Sequence, residues 1–313
     1  MKPLTGIAVL PCLAAGLVCA AGWPTAIQAQ DVKPTFRASV ALVPITAAVR
    51  DSHNRIVRGL RKTDFDVLEN SQRREIVDFV ASDDAAVSLA IVADTSGSMR
   101  GRNWERANDF VDQLVGRMTR PDDEMALFTF DKRLDQHTPF TTDRDSVLDA
   151  MRSVEAWGQT ALYDAVAEAA RRVADRRGRR AVIVITDGLD TISKMTASEV
   201  SGLAGAIDVP VYAVSVTPAS TPAAAANEGE AGLAQLAYWT GGDVSHLAET
   251  PGLDRTINAL VTELRQQYFL AIQSDSTASG WHRIDVKTRR RDLTVRARMG
   301  YFATGANGAH NMP

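Results

Sequence analysis

The strongest constraint on the fold is a set of short, unbroken apolar runs, each followed by a stretch with helical spacing. Val87-Ser88-Leu89-Ala90-Ile91-Val92-Ala93 shows no polar alternation, the mark of a strand covered on both faces. Residues 125–130, 181–186 and 209–216 repeat the pattern. Between these runs, Ala107, Phe110, Val111, Leu114 and Met118 recur at helical intervals, as do Val147, Leu148, Met151 and Val154. Residues 161–174, 198–207 and 253–267 read as further helices, 233–239 as a short one and 243–247 as an edge strand. The Ala/Pro/Glu-rich stretch 217–230 reads as a loop. Strands alternating with helices predict an α/β class: a doubly wound, mostly parallel sheet over residues 86–267.

The flanks read differently. Residues 40–49 are strand-like and 65–69 and 75–80 alternate in period two, with a hairpin turn at Asp51-Ser52-His53-Asn54, so 36–82 is expected to be a β-rich N-terminal flank. Residues 268–273, 281–288 and 293–301 alternate likewise and make 268–302 a β-rich C-terminal flank. Either piece alone would be marginal. The two are therefore expected to pair into one small β-sandwich-like unit, with the α/β domain inserted between them. Residues 303–313 have the composition of a disordered tail.

The first 29 residues have the layout of a signal peptide. Lys2 precedes an apolar run from Leu4 to Ala21, and Ala29 precedes the polar Gln30-Asp31. Cleavage near Ala29 is the expectation, in preference to an uncleaved anchor, with a periplasmic or secreted destination and no membrane span afterwards. Both cysteines, Cys12 and Cys19, lie in that segment. The mature chain would then have no disulfide, thiolate metal site or cysteine nucleophile. A formal net charge of −3 gives nucleic acid no electrostatic footing, and the Arg-rich stretches 176–180 and 289–291 are short. No Gly-x-Gly-x-x-Gly or Walker sequence supports a nucleotide, and no Gly-x-Ser-x-Gly supports acyl transfer. His53, His137, His246, His282 and His310 are scattered among turns, strand edges and the tail, and are expected to be exposed.

The chemistry-bearing feature is the end of the first apolar run, Asp94-Thr95-Ser96-Gly97-Ser98. Side-chain oxygens at every second residue, in a loop opened by Gly97, can turn three oxygens toward one point. They lie at the carboxyl end of a strand, where open α/β sheets bind ligands. Thr160, after Gly158-Gln159, and Asp187, between Thr186 and Gly188, fall on the same edge. Oxygen-only donors suit a hard divalent ion: Mg2+ first, with Mn2+ or Ca2+ as the other candidates. Taken singly, Asp94 reads as a helix cap, Ser96 and Ser98 as turn residues, and Thr160 as the N-cap of the helix beginning at Ala161. Asp131 and Asp190 read as structural or capping groups. Capping alone does not require the whole set of Asp94, Ser96, Ser98, Thr160 and Asp187.

That set resembles the metal-ion-dependent adhesion site of the von Willebrand factor type A family, whose pattern is Asp-x-Ser-x-Ser with a distant Thr and a distant Asp. The resemblance covers about residues 86–267. It implies Ser96, Ser98 and Thr160 as hydroxyl ligands, Asp94 and Asp187 as charge and water holders, and a protein partner whose Asp or Glu carboxylate completes the shell. It also implies binding without catalysis. Val43-Pro44-Ile45, Gly59-Leu60, Asp64-Phe65 and Gly300-Tyr301-Phe302 are similar to a bacterial exported group in which β-rich flanks surround such a domain. Two readings compete. One is a Mg2+-dependent, phosphatase-like hydrolase using Asp94, which needs a second carboxylate where Ser96 stands. The other is a structural envelope module with a non-functional metal site.

Overall fold

The computed structural model describes residues 41–81, 85–216, 223–247, 252–274 and 278–303. The expected signal peptide at 1–29, the tail with His310, and part of the expected loop at 217–230 lie outside the described residues. Alternating positions open the chain as strands β1 (Ala41–Asp51), β2 (Phe65–Glu69), β3 (Gln72–Arg74) and β4 (Ile76–Val80). The continuous apolar run becomes β5 (Val87–Asp94), buried at every position. It is followed by α1 (Arg102–Arg117), β6 (Glu124–Phe130), β7 (Leu134–Gln136), α2 (Arg144–Ser153), α3 (Leu162–Ala174) and β8 (Arg179–Thr186). Then come α4 (Ala197–Ala206), β9 (Val211–Ser215), α5 (Ala223–Thr240), β10 (Val244–His246) and α6 (Leu253–Arg265). Strands β11 (Tyr268–Ser274), β12 (Gly280–Thr288), β13 (Leu293–Ala297) and β14 (Gly300–Ala303) close the chain.

The central sheet has the order β10-β9-β8-β5-β6-β7 and is parallel apart from the antiparallel edge strand β7. Because side chains alternate along β5, Leu89, Ile91 and Ala93 pack with residues of α1, α2 and α6 on one face. Ala90 and Val92 pack with residues of α3, α4 and α5 on the other. Each fully buried Leu, Ile or Phe contributes about 1.5–3 kcal/mol, so a strand with two apolar faces is stable only in the middle of such a stack. That requirement puts β5 at the sheet centre and Asp94 at its carboxyl edge. The mixed class, a mostly parallel sheet with helices on both faces plus antiparallel sheets, is the one the sequence predicts.

The remaining strands form two four-stranded sheets, β13-β1-β11-β4 and β14-β12-β2-β3. Strand β1 pairs antiparallel with β11 from Ala41 opposite Ser274 to Ala47 opposite Tyr268, so residues from before and after the α/β segment share one sheet. Val43, Ile45, Val67, Leu270, Ile284 and Val286 are among the residues that fill the space between the two sheets.

Several sequence expectations need correction. The stretch 293–301 is not one strand. β13 and β14 belong to different sheets, and the chain crosses between them at Arg298-Met299, where Arg298 is almost fully buried. Residues 223–230, expected in a loop, form the first turns of the 18-residue helix α5, where the run Ala223–Ala226 and Glu228 and Glu230 favour helix despite Gly229. His282, expected to be exposed, is buried, its Nδ1 3.1 Å from Glu69 Oε1. Glu69 also accepts hydrogen bonds from Tyr301 (2.5 Å), Ser274 (2.7 Å) and Arg74 (2.7 Å), which together hold its carboxyl below the usual glutamate range against its burial.

Candidate metal centre

The centre begins where β5 runs out. Asp94 is fully buried, and its oxygens are fixed by two hydrogen bonds. Oδ1 accepts the Ser96 amide at 2.8 Å, and Oδ2 accepts the Thr186 hydroxyl at 2.6 Å from the end of the neighbouring strand β8. The chain then turns through one 3-10 turn, Gly97–Met99. Met99 is its apolar anchor and fully buried, which leaves Ser98 facing solvent while Ser96 stays inside. The two hydroxyls converge, with Ser96 Oγ 3.1 Å from Ser98 Oγ.

Two further loops are stitched to this turn. The Gly97 amide donates to the Gly158 carbonyl at 3.1 Å, bringing the segment that carries Thr160 alongside. Gly158 has φ +146°, and a Cβ there would come within 2.7 Å of the Asp131 Cβ, so the approach depends on glycine. The Thr160 carbonyl accepts the amides of Thr191 (2.9 Å) and Ile192 (3.2 Å), and the Thr160 amide donates to Thr191 Oγ1 at 3.0 Å. This ties the Thr160 loop to the loop that follows β8. Asp187 sits at the start of that loop, 2% exposed, with Oδ1 accepting the Leu189 amide at 3.2 Å. Thr186 ties Asp94 to that loop, giving its hydroxyl proton to Asp94 and accepting the Gly188 amide at 3.0 Å. Thr160 is buried as a residue, and its hydroxyl makes no hydrogen bond among the described residues.

The electrostatics are unbalanced. Burial pushes Asp94 up to about 7, and the negative charge of Asp187 adds to the effect. Its hydrogen bonds from Thr186 and Ser96 oppose it without cancelling it. Among the described residues, neither Asp94 nor Asp187 forms an ion pair with Arg, Lys or His. A buried carboxylate pair of this kind calls for a cation. Two carboxylates and three hydroxyls match the oxygen-only chemistry of a hard divalent ion. Among the described residues no three His, Cys, Asp or Glu side chains converge, so a metal held here must rely on the hydroxyls.

The remaining sequence candidates resolve into structure. Asp190 caps α3, accepting the Leu162 amide at 2.8 Å and the Ser193 hydroxyl at 2.6 Å. The N-cap position of α3 is Ala161, so Thr160 does not cap that helix, and its hydroxyl is left for another use. The Asp131 carbonyl accepts the Ala161 amide at 2.7 Å, a structural role. Sequence reasoning missed the parts played by Thr186 and Thr191. Thr186 ends an apolar strand beside Asp187, and a buried hydroxyl there was the available signal.

Residues 89–189 match the family model of the von Willebrand factor type A domain. Among solved structures, an aerotolerance-related membrane protein from Bacteroides fragilis is similar at 19% identity, covering 57% of this chain and 98% of that one, with a TM-score of 0.47. The conserved hypothetical protein BatB from Bacteroides thetaiotaomicron gives 21% identity, 57% and 98% coverage, and a TM-score of 0.48. Proximal thread matrix protein 1 from the mussel byssus, solved with a zinc-occupied MIDAS motif, gives 19% identity, 62% and 48% coverage, and a TM-score of 0.49. It is over residues 89–189, then, that this chain matches the von Willebrand factor type A domain.

Proposed function

We propose that the protein binds a partner protein through a divalent cation held by Asp94, Ser96, Ser98, Thr160 and Asp187, with Mg2+ the first candidate and Mn2+ and Ca2+ the others. The observation that carries this reading is the buried pair Asp94 and Asp187, uncompensated by any cationic side chain among the described residues. Bound there, a divalent ion supplies a Lewis-acidic position for one oxygen of a partner's Asp or Glu carboxylate. Two acids neutralise it formally, so the hydroxyls of Ser96, Ser98 and Thr160 complete its surroundings without quenching its affinity for a further anion. Ser98 is the one exposed member of the set, so the open side faces outward.

No group in the centre is placed to turn a substrate over. Asp94 is committed to Ser96 and Thr186, and Ser96 occupies the position where a phosphatase-like site needs its second carboxylate. The protein is therefore read as a binding module and not an enzyme. Its leader, residues 1–29, is read as directing it outside the cytoplasm. The α/β domain, residues 86–267, is read as an insertion into the β-sandwich built from the two flanks.

Calorimetric titration of wild type, Asp94→Ala and Thr160→Ala with Mg2+ and Mn2+ tests the reading. One-to-one binding in wild type that is lost or strongly weakened in both variants is expected. Equal affinity in all three rejects the site. A phosphatase and esterase panel should be silent, and Mg2+-dependent turnover abolished in Asp94→Asn would move the assignment to a hydrolase.

A further inference from the structure

The rim of the centre carries a second recognition element. Trp157, immediately before Gly158, is 72% exposed, the most exposed large apolar side chain among the described residues. Arg100, two residues beyond Ser98, holds its guanidinium 4.9 Å from the centre of the Trp157 ring. Among the described residues Arg100 has no carboxylate partner, whereas Arg117, Arg152, Arg176 and Arg265 of the same domain each have one. The two loops that present the pair are joined by the Gly97 to Gly158 hydrogen bond, so the segments carrying Arg100 and Trp157 border the turn that carries Ser96 and Ser98.

A guanidinium held over an indole by a cation–π contact keeps its N–H donors free, and less entropy is lost when it takes a planar carboxylate than when a free side chain does. Surface arginine and tryptophan next to a binding position are also the residue types that dominate interface energetics. A cation in the centre and a poised guanidinium on its rim present positive charge at two neighbouring points. Charge complementarity then selects the occupant.

We infer that the partner segment is acidic at more than one position: one carboxylate is taken at the metal, and a second, on a nearby residue of the same segment, is taken by Arg100 on its Trp157 platform. This rests on the metal-dependent binding proposed above and adds the class of peptide that the site prefers. Trp157 is a positioning residue that holds Arg100 in place and covers the segment's aliphatic stem.

The test uses two glycine heptapeptides with blocked ends, one carrying a single central glutamate and the other three glutamates at alternate positions. Affinities are measured in Mg2+ and in EDTA for wild type, Arg100→Gln, Arg100→Lys and Trp157→Ala, with Mg2+ affinity titrated separately for each. Wild type in Mg2+ should favour the tri-acid by about tenfold, beyond the roughly threefold that statistics alone supply, as a charge-assisted bidentate pair implies. Arg100→Gln should cut the preference to the statistical factor while Mg2+ affinity stays unchanged. Arg100→Lys and Trp157→Ala should fall between the two. A preference unchanged in Arg100→Gln overturns the inference and leaves the metal site standing. Absence of Mg2+ binding in wild type overturns both. Loss of Mg2+ binding in Arg100→Gln would show that the arginine supports the centre itself, which also refutes the proposed role.

Discussion

Without a cation, ionised Asp94 must cost the fold, and the cost is readable as a pH dependence. Burial lifts its carboxyl from the ordinary aspartate value of 3.8 to about 7. The folded value lies above the unfolded one, so the folded state binds the proton more tightly. The stability this confers is complete below about pH 4 and is lost as pH rises through about 7. The gap corresponds to about 4 kcal/mol, at about 1.4 kcal/mol for each unit of pKa difference. In EDTA the Asp94 contribution to wild-type stability should therefore fall by about that amount on going from acid to mildly alkaline buffer. Asp94→Asn keeps the shape and removes the titration, so wild type minus variant, measured across pH, isolates it. Added Mg2+ should restore wild type, by about 2.7 kcal/mol when its concentration is 100-fold above the dissociation constant, and leave Asp94→Asn unmoved. The increment should be larger above pH 7 than below pH 5, because at low pH the ion must displace the proton. Urea unfolding followed by tryptophan fluorescence measures all of this. A wild-type minus variant difference that is flat with pH, or a Mg2+ increment of equal size in Asp94→Asn, would refute the reasoning.

Three further outcomes follow from the same geometry. Glu263 on α6 is buried, accepts Arg50 Nε at 3.0 Å and the Tyr212 hydroxyl at 2.9 Å, and pairs with Arg296. Glu263→Ala leaves the largely buried Arg50 and Arg296 with Asp243 as their shared carboxylate and should cost about 3 kcal/mol by urea denaturation. Gly158→Ala forces a Cβ against Asp131 at a backbone angle that favours glycine, and should cost about 1–3 kcal/mol and weaken Mg2+ binding together, read by denaturation and calorimetry. Asp190→Ala removes the cap on α3 and should cost about 1 kcal/mol by denaturation, with Mg2+ affinity retained to within a few fold because Asp190 is outside the donor set.

The α/β segment was legible because its strands are apolar on both faces, a pattern that only a sheet covered on two sides satisfies. Asp94, Ser96 and Ser98 were legible for the same reason, since a polar triplet following such a run must sit at the sheet's carboxyl edge. Thr160 and Asp187 could be grouped with them only because their strands and turns end on that edge too. Other features were hidden because they depend on partners far away in sequence. Alternation along 293–301 reports which side chains face inward, but not that the chain changes sheet at Arg298. Asp190 read as a structural or capping group, but the helix it caps, α3, was hidden because the amide it accepts lies 28 residues earlier. His282 looked like an ordinary strand-edge histidine, because its reason for burial, Glu69, lies at the other end of the chain. The helical start of α5 was masked by Pro218, Pro222 and Gly229 in its neighbourhood, which outweighed the alanine run in a reading by composition.

The central claim is that five oxygen-bearing side chains share one cation. A crystal structure of the protein grown with Mn2+, with anomalous data collected at the manganese edge, tests it most directly. The account predicts a single strong peak bounded by Asp94, Ser96, Ser98, Thr160 and Asp187, at direct or water-mediated distance from each and open on the side of Ser98. Well-ordered loops at that edge with no peak among them, or a manganese held elsewhere in the molecule, would contradict it.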